Sequence, residues 1–346
     1  MGKKIKQEKN PQAMSKKNTN NWYLFSLVFI VGIFFGWIAK SNSYPVLDIG
    51  QKLDTIRLKG YKFISPLLLC NNDQKSQTIE FYSLQDKLQK IVNQKIKNKD
   101  IVTASVYIRD YKNNNQLIIN ENEKFSPASL NKIPVMMAYY KMAEGNVEIL
   151  KARLLIKDQP NPNDLQEIKP LQSPKPGSSY TVDELITYLI RYSDNYSYNA
   201  LIQNIDPKKL EATYEDLKIS IPADGSPQGL DFITTNDFSY FLRVLYNATY
   251  LNRDYSEKAL KILSEVNYKN GIVSSVKPTD LVSHKFGLYS YANDGKVIAR
   301  ELHDCGIIYS KKTYLICVMT KSISEIPKIE KTIQEISAVV YDEMNK

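Results

Sequence analysis

Ser129 and Lys132 are the residues of this chain whose types and spacing best suit covalent chemistry. Residues three apart in a helix lie on the same face, so this spacing places a hydroxyl one turn from an amine. A neutral lysine amine can accept the proton of a serine hydroxyl and leave an alkoxide-like nucleophile. The pair therefore predicts acyl transfer, with Ser129 as nucleophile and Lys132 as proton acceptor.

A second Ser-x-x-Lys string, from Ser274 to Lys277, shows that the spacing alone is not specific. A serine of this kind is usually the N-cap of a helix whose lysine lies in solvent. Ser274 belongs to a polar stretch, whereas Ser129 is followed by the apolar run 133–140. A helix this apolar belongs in the interior, so Lys132 should be buried. Burial without a counter-ion lowers the pKa of a lysine, as a lysine base requires.

Two further strings follow Ser129 in a recognisable order. Ser193-Asp194-Asn195 begins 64 residues later, and Lys285-Phe286-Gly287 begins another 92 residues on. Their order and spacing resemble those of the penicillin-recognising serine hydrolases, class A β-lactamases in particular. The resemblance covers about residues 80–346. It extends to residues 125–129, 180–186 and 234–243, which are similar to the approach to the nucleophile, the second helix and the helix after the Ω-loop.

The resemblance implies catalytic roles for three residues. Ser129 would attack an acyl carbonyl, and Lys132 would accept the proton of its hydroxyl. Ser193 would relay a proton towards the leaving nitrogen of the substrate. Asp194, between Ser193 and Asn195, is expected to hold its own loop together instead of taking part in the reaction.

The resemblance also implies a set of residues that bind substrate. Asn195 would orient the amide side chain of the substrate, and Lys285 would attract its carboxylate by holding the local potential positive. The backbone N–H groups of Ser129 and of Leu288, directly after Gly287, would form the oxyanion hole.

Two departures from the family pattern bear on activity. Phe286 stands where the third motif has a hydroxyl residue that touches the substrate carboxylate, and Arg300 is a candidate to compensate. Losing a hydrogen bond to a charged group costs about 1.5–3 kcal/mol. The segment between Ile219 and Thr234 lacks the Ω-loop Glu that activates the deacylating water. Its carboxylates are Asp224 and Asp231, and neither fits the pattern, so acylation should survive better than deacylation.

Several functions fit these residues. One is an extracytoplasmic β-lactam acyl-hydrolase, and another is a D-alanyl peptidase or transpeptidase that acts on peptidoglycan stem peptides. A third is a non-enzymatic cell-wall-binding relative. The intact Ser129, Lys132, Ser193 and Asn195 favour the enzymes. A Ser-His-Asp triad through His284 is disfavoured because the chain has no Gly-x-Ser-x-Gly elbow, so His284 should be a strand residue that packs near the site.

Composition limits the partners. The formal net charge is +9, but residues 1–20 alone hold six lysines against one acid. The remaining excess suits a mildly basic extracytoplasmic domain better than a nucleic-acid-binding protein. With two histidines, three cysteines and no Cys-x-x-Cys pair, no metal site and no cofactor are predicted. We expect a monomer that binds a β-lactam or a stem peptide.

Two of the three cysteines lie on either side of a predicted turn. Cys305 and Cys317 are about equally far from residues 310–312 and could face each other across a hairpin. Two separate buried thiols are nevertheless the arrangement that we expect.

The N-terminal region reads as a membrane anchor. Residues 1–21 form a basic tail, and 22–39 form an uncharged apolar run with a tryptophan near each end. This run is long enough to cross a bilayer, and it lacks a good signal-peptidase site. The lysines before it place the N-terminus in the cytoplasm. The prediction is a single-pass membrane protein with a connector at 40–80 and an extracytoplasmic serine hydrolase domain at 81–346.

The pattern of elements predicts an α+β fold. Helices are expected near 82–96, 182–189 and 329–340, and strands near 102–108, 117–119, 280–288, 302–309 and 313–320. Strands at both ends of the domain with a helical block between them indicate an antiparallel sheet flanked by helices. The expected architecture is the three-layer β-lactamase-like one with an all-helical subdomain, preceded by the transmembrane helix.

Overall fold

A computed structural model describes residues 56–69, 79–221 and 231–346. At its centre is a five-stranded antiparallel sheet in the order β4-β3-β9-β8-β7. The strands of this sheet are β3 (Thr103–Asp110), β4 (Gln116–Ile119), β7 (Leu281–Asn293), β8 (Lys296–Tyr309) and β9 (Thr313–Ser322). Two short ribbons flank it, β1 (Ile56–Arg57) with β2 (Leu67–Leu69) and β5 (Arg153–Leu155) with β6 (Ser179–Thr181).

One face of the sheet is covered by the first and last helices of this region, α1 (Ile79–Lys97) and α9 (Ile326–Met344). Alternate strand residues such as Val106 and Val318 point to this face and pack against Leu88 and Ile333. The intervening residues point to the other face, as the two-residue period of a strand requires.

The other face carries the remaining helices and the larger core. These are α2 (Lys132–Gly145), α3 (Glu148–Lys151), α4 (Val182–Arg191), α5 (Asn195–Asn204), α6 (Pro207–Asp216), α7 (Thr235–Asn247) and α8 (Arg253–Ser264). Every residue of α2 from 132 to 140 is buried, whereas Lys141 in the following turn is exposed. The structure thus has the expected α+β architecture, with helices on both faces of an antiparallel sheet.

Local signals in the sequence account for several helix ends. Thr181 and Glu184 form a capping box at the start of α4, and Thr234 and Asp237 form another at the start of α7. Each box satisfies backbone N–H groups that the first turn of a helix leaves unpaired. Each of these two helices therefore begins directly after the threonine that caps it.

Cys305 and Cys317 form a disulfide bond. They face each other in the register of β8 and β9, and both are fully buried. The expectation of two separate thiols was wrong, because the hairpin between these strands is in the register that brings the two side chains together.

Residues 61–64 of the predicted connector dock on the helical side. The carboxylate of Glu257 accepts hydrogen bonds from the backbone N–H groups of Lys62, Phe63 and Ile64, at 2.9–3.1 Å. Phe63 and Ile64 are buried in the larger core. Cys70 lies outside the described residues, as does the predicted anchor at 22–39. Within the described ranges, no helix is long and apolar enough to cross a membrane.

Candidate active site

Ser129 lies in a 3-10 turn, Ala128–Asn131, that leads directly into α2. Ala128 has a φ of 49°, in the left-handed region that residues with a side chain seldom adopt. Such local strain often occurs at functional sites. Ser129 itself is half-buried, and the next turn of the chain carries Lys132 into the interior.

Lys132 is 2% exposed, as the apolar sequence of α2 predicts. Its Nζ donates hydrogen bonds to the backbone oxygen of Ser193 at 2.6 Å, to Ser193 Oγ at 3.2 Å and to Asn195 Oδ1 at 2.9 Å. Burial lowers the pKa of Lys132 to about 7, although the charge of Asp194 opposes the shift. A substantial fraction of Lys132 is therefore neutral near pH 7 and able to accept a proton.

Lys285 approaches the same serine from the sheet. It is fully buried on β7, and its Nζ donates to Ser193 Oγ at 2.9 Å and to the backbone oxygen of Phe286 at 2.8 Å. Burial lowers the pKa of Lys285, the positive charge of Lys132 lowers it further, and Asp304 opposes both. The hydroxyl of Ser193 is thus hydrogen-bonded to two lysines, on a residue whose φ is 57°.

Gly287 lets β7 approach the turn that holds Ser129. A Cβ at this position would lie 3.0 Å from the oxygen of Pro127 and 3.1 Å from the nitrogens of Ser129 and Leu130. Leu288 follows on the same strand and is half-buried. The backbone segments predicted to supply the oxyanion hole therefore face each other.

Asp194 holds the loop that carries Ser193 and Asn195 through its own hydrogen bonds. This carboxylate caps α5 by accepting from the backbone nitrogen of Ser197 at 2.7 Å, and it accepts from Asn163 Nδ2 at 2.8 Å. Asn195 donates through Nδ2 to the oxygen of Pro162 at 3.2 Å. Asp194 has the structural role expected for it.

The third motif departs from expectation in its detail. Phe286 is 5% exposed and stacks on Tyr268, with ring centroids 4.2 Å apart, while the Nζ of Lys285 lies 4.2 Å from its ring centroid. Phe286 is therefore part of the larger core. Arg300, suggested as a compensating cation, instead binds Glu167, with Nη2 donating to Oε2 at 2.8 Å.

The carboxylates considered for deacylation occupy different surroundings. Asp224 lies outside the described residues. Asp231 accepts from Lys321 Nζ at 2.7 Å and from the hydroxyl of Tyr291 at 3.3 Å. It is therefore held in an ion pair.

Glu301 is a residue that sequence reasoning missed. It is 2% exposed, accepts from the backbone nitrogen of Ser126 at 2.9 Å and accepts from the hydroxyl of Tyr291 at 2.9 Å. Nearby, the ring of His303 is hydrogen-bonded to the oxygen of Ser126 at 2.8 Å. Strand β8 thus holds the chain three residues before Ser129. A single acid within a strand gives no sequence signal for this role.

The two alternative chemical sites do not form. Ser274 and Lys277 are both exposed, and the hydroxyl of Ser274 donates to the oxygen of Gly271 at 3.0 Å. His284 is a buried strand residue whose Nδ1 lies 2.8 Å from Asp304 Oδ1. Its Nε2 has no hydrogen-bond partner within the described residues, so no serine completes a triad. Nor does this part of the chain contain a cluster of side chains that could hold a metal ion.

The sheet flanked by helices and the serine–lysine site at the start of a buried helix define a β-lactamase-like protein. The chain belongs to the beta-lactamase enzyme family, whose model matches residues 83–344. A sequence relative is Beta-lactamase CTX-M-25 from Escherichia coli, 27% identical over 126 residues. The match covers 32% of this chain and 42% of that relative, which is less than half of its length.

Solved structures share the fold. PBP-A, whose structures include an acyl-enzyme complex of a variant with penicillin-G, matches with a TM-score of 0.62 at 20% identity, over 75% of this chain and 96% of that chain. A class A beta-lactamase from Bacteroides cellulosilyticus matches with a TM-score of 0.63 at 20% identity, over 76% and 98% of the two chains. TLA-1 extended spectrum Beta-lactamase gives a TM-score of 0.63 at 20% identity, over 76% and 99%. At these identities the likeness establishes the fold.

Proposed function

We propose that this protein is an extracytoplasmic serine acyl-hydrolase that forms an acyl-enzyme on Ser129 with β-lactams and releases it slowly. The observation that carries the proposal is the convergence of two buried lysines, Lys132 and Lys285, on the hydroxyl of Ser193. Burying two amines costs desolvation free energy that apolar side chains of similar volume would avoid, even when the amines are hydrogen-bonded. Their position near the Ser129 turn therefore favours a role in the reaction over a role in packing.

The acylation step gives these residues the roles that the family resemblance implies. Within the described residues, the hydrogen bonds of Lys132 Nζ go to Ser193 and Asn195 and not to Ser129. Neutral Lys132 accepts the proton of the Ser129 hydroxyl, and Ser129 Oγ forms a bond to the lactam carbonyl carbon. The negative charge on the carbonyl oxygen is stabilised by the backbone N–H groups of Ser129 and Leu288. When the C–N bond of the lactam breaks, Ser193 donates its proton to the nitrogen and is reprotonated by a lysine bonded to it.

Substrate binding would use Lys285 on β7 and Asn195 at the start of α5. Lys285 draws the substrate carboxylate towards Ser193, and Asn195 contacts the amide side chain. Because Phe286 has no hydroxyl, the substrate carboxylate gains no such contact from residue 286, and the ring lies in the core instead. We therefore expect acylation to need a higher concentration of β-lactam than an intact third motif would require.

Deacylation needs a different base, which activates water against the Ser129 ester. The 219–234 segment has no Glu, and the ion pair of Asp231 with Lys321 opposes such a role. General-base assistance typically contributes about 10²–10⁴-fold. Its loss leaves the ester formed and slow to hydrolyse.

We also propose that residues 22–39 anchor the protein in the cell membrane and that the hydrolase domain lies on the outer side. We propose that the protein is a monomer. The support is in the sequence: an uncharged apolar run preceded by lysines. Peptidoglycan and β-lactams are both found on that side of the cytoplasmic membrane.

Intact-mass measurement after exposure to a penicillin tests the acylation site. We expect one adduct on the wild-type protein, none on Ser129→Ala, and an unchanged adduct on Ser274→Ala, whose serine has the same Ser-x-x-Lys spacing. An adduct on Ser129→Ala would contradict the proposal. Release of D-alanine from a stem peptide by a wild-type protein that takes up no β-lactam would replace it with the D-alanyl peptidase alternative.

A further inference from the structure

The loop between β5 and β6, residues 157–176, is closed at its base. The nitrogen of Ile156 donates to the oxygen of Ser178 at 2.9 Å, and the nitrogen of Gly177 donates to the oxygen of Ile156 at 2.8 Å. Lys169 Nζ reinforces the loop by donating to the oxygen of Asn163 at 2.9 Å. The loop is therefore a compact unit rather than an extended connection.

One side of this loop lies on the helical wall of the site. Asn163 Oδ1 accepts from the nitrogen of Asn195 at 2.8 Å, and Gln166 Nε2 donates to the oxygen of Ser193 at 3.3 Å. The oxygen of Pro162 accepts from the side chain of Asn195. Asn195, the residue proposed to contact the amide of the substrate, is thus hydrogen-bonded to the loop through its side chain.

The other side of the loop is attached to the sheet through Glu167. Its carboxylate accepts from Arg300 Nε at 2.9 Å and from Arg300 Nη2 at 2.8 Å, and it also accepts from the hydroxyl of Ser290. The side chain of Arg300 is 10% exposed, and its Nη1 donates to the oxygen of Ser324. A two-pronged arginine–carboxylate contact of this kind fixes orientation as well as distance.

These attachments place the loop between the helical wall and strands β7 and β8, beside the Ser129 turn. Gly287 faces the Ser129 turn, and Ser290 lies three residues further along β7, about 10 Å away. The loop runs from Ser193 and Asn195 on the helical wall to Ser290 and Arg300 on the sheet. A substrate group that extends from Ser129 towards the β7–β8 hairpin must therefore meet the loop.

We propose that Glu167 is a specificity-determining residue, which holds the 157–176 loop between the helical wall and β7 and limits the size of the acylamino side chain that a β-lactam can carry to Ser129. The proposal rests on the proposed acylation of Ser129. A substrate with a compact side chain reaches Ser129 with the loop closed. A bulky side chain requires the contacts of Glu167 with Arg300 and Ser290 to break first.

The test compares two penicillins with the same neutral amide linkage, N-formyl-6-aminopenicillanic acid and penicillin G. Second-order acylation constants are measured by intact mass for full-length wild type and Glu167→Ala. We expect Glu167→Ala to raise the penicillin G constant, relative to that of the formyl compound, at least fivefold. The control is Glu335→Ala, which removes an ion pair with Lys95 on the far face of the sheet, 2.8 Å in length, and should leave the ratio unchanged.

Amide hydrogen exchange of the same full-length proteins separates the two proposals. Glu167→Ala should speed exchange in peptides that cover 157–176 at least threefold, and Glu335→Ala should not. If Ser129 is labelled but the ratio of acylation constants is unchanged in Glu167→Ala, the specificity role is wrong. If neither penicillin labels any variant, the proposed function fails. In that case amide exchange of residues 157–176 still tests whether Glu167 holds the loop. Faster exchange in Glu167→Ala supports this contact, and unchanged exchange overturns it.

Discussion

At the scale of single residues, the proposed acylation depends on the protonation of Lys132. As an ammonium ion, this side chain has three protons, and the structure gives it three acceptors on Ser193 and Asn195. A neutral amine has two protons and a lone pair, so one contact must be exchanged for the proton of a nucleophile. Burial makes the neutral form accessible by lowering the pKa of Lys132 to about 7.

This protonation predicts the pH dependence of acylation. Because the pKa is lowered from its ordinary value, the active neutral form predominates above pH 7 and disappears as pH falls. The acylation constant should fall about tenfold per pH unit below pH 6 and level off above about pH 8. Rapid-quench measurement from pH 5 to 9 provides the check.

Lys132→Arg is the matched variant, because it keeps a positive charge but cannot become neutral in this range. It should lower acylation by about 10²–10⁴-fold. A pH profile that is flat between 5 and 9, or an arginine variant as active as the wild type, would show that Lys132 is not the base.

The sequence predicts the surroundings of some residues of the site but not of others. The burial of Lys132 follows from the apolar sequence after it, because such a helix is expected in the interior. The position of Phe286 in the core and the pairing of Arg300 with Glu167 do not follow from local sequence. Both depend on contacts between residues far apart in the chain, and the loop of Glu167 has no hydrophobic period to reveal its position.

At the scale of elements, the position of the proposed nucleophile, Ser129, depends on two segments that nearly touch. Glu301 on β8 holds the chain at Ser126, just before the turn Ala128–Asn131, and the turn lies against β7 at Gly287. The backbone of β7 can approach this closely because residue 287 has no side chain. The separation of the turn and the strand also sets the separation of the two predicted oxyanion donors.

Gly287→Ala should therefore reduce both the acylation constant and the free energy of unfolding. Its Cβ would lie 3.0–3.1 Å from backbone atoms of residues 127, 129 and 130, which must move. A displacement of about 1 Å in an active site can lower the rate about 10²-fold. We expect a loss of this size in the acylation constant, with a destabilisation of about 1–3 kcal/mol measured by denaturant unfolding.

Gly145→Ala is the control, since a Cβ there meets nothing within 4 Å. It should leave acylation unchanged and keep or slightly raise stability. Equal acylation by the Gly287 and Gly145 variants would mean that the close approach of β7 does not position Ser129.

The sequence predicts which helices and strands form better than it predicts the register in which the strands pair. Helix α1, the α4 capping box and the β3–β4 hairpin follow from periodicity and turn residues in the sequence. The bond between Cys305 and Cys317 depends on the register of β8 and β9. A shift of one residue would place them on opposite faces, and the sequence of two apolar strands does not choose between registers.

At the scale of the whole domain, one sheet brings together residues from distant parts of the sequence. The site takes Ser129 from a turn, Ser193 from an interhelical loop and Lys285 from a strand. Lys132 and Lys285 both donate to the hydroxyl of Ser193, and the backbone at Gly287 lies against the turn of Ser129. Two cores, one on each face, fix the sheet between its helical layers. The site is therefore sensitive to the packing of the domain as well as to its own residues.

The proposed orientation in the membrane also belongs to this scale. A fusion of a reporter that fluoresces only in the cytoplasm, placed after Lys346, should be dark in cells. A reporter active only outside the cytoplasm should work at the same position, because the lysines before residue 22 retain the N-terminus inside. Strong cytoplasmic fluorescence from the intact fusion would refute the orientation.

Stopped-flow hydrolysis of a chromogenic cephalosporin tests the central claim most directly, because it separates formation of the Ser129 ester from its breakdown. The residues proposed for acylation are present, and the Ω-loop Glu that would activate the second water is missing. We expect a burst of about one equivalent per protein followed by a slow phase, because the loss of general-base assistance slows deacylation by about 10²–10⁴-fold. Ser129→Ala should abolish both phases. Rapid steady-state turnover without a burst would contradict the account and would mean that another group activates the deacylating water.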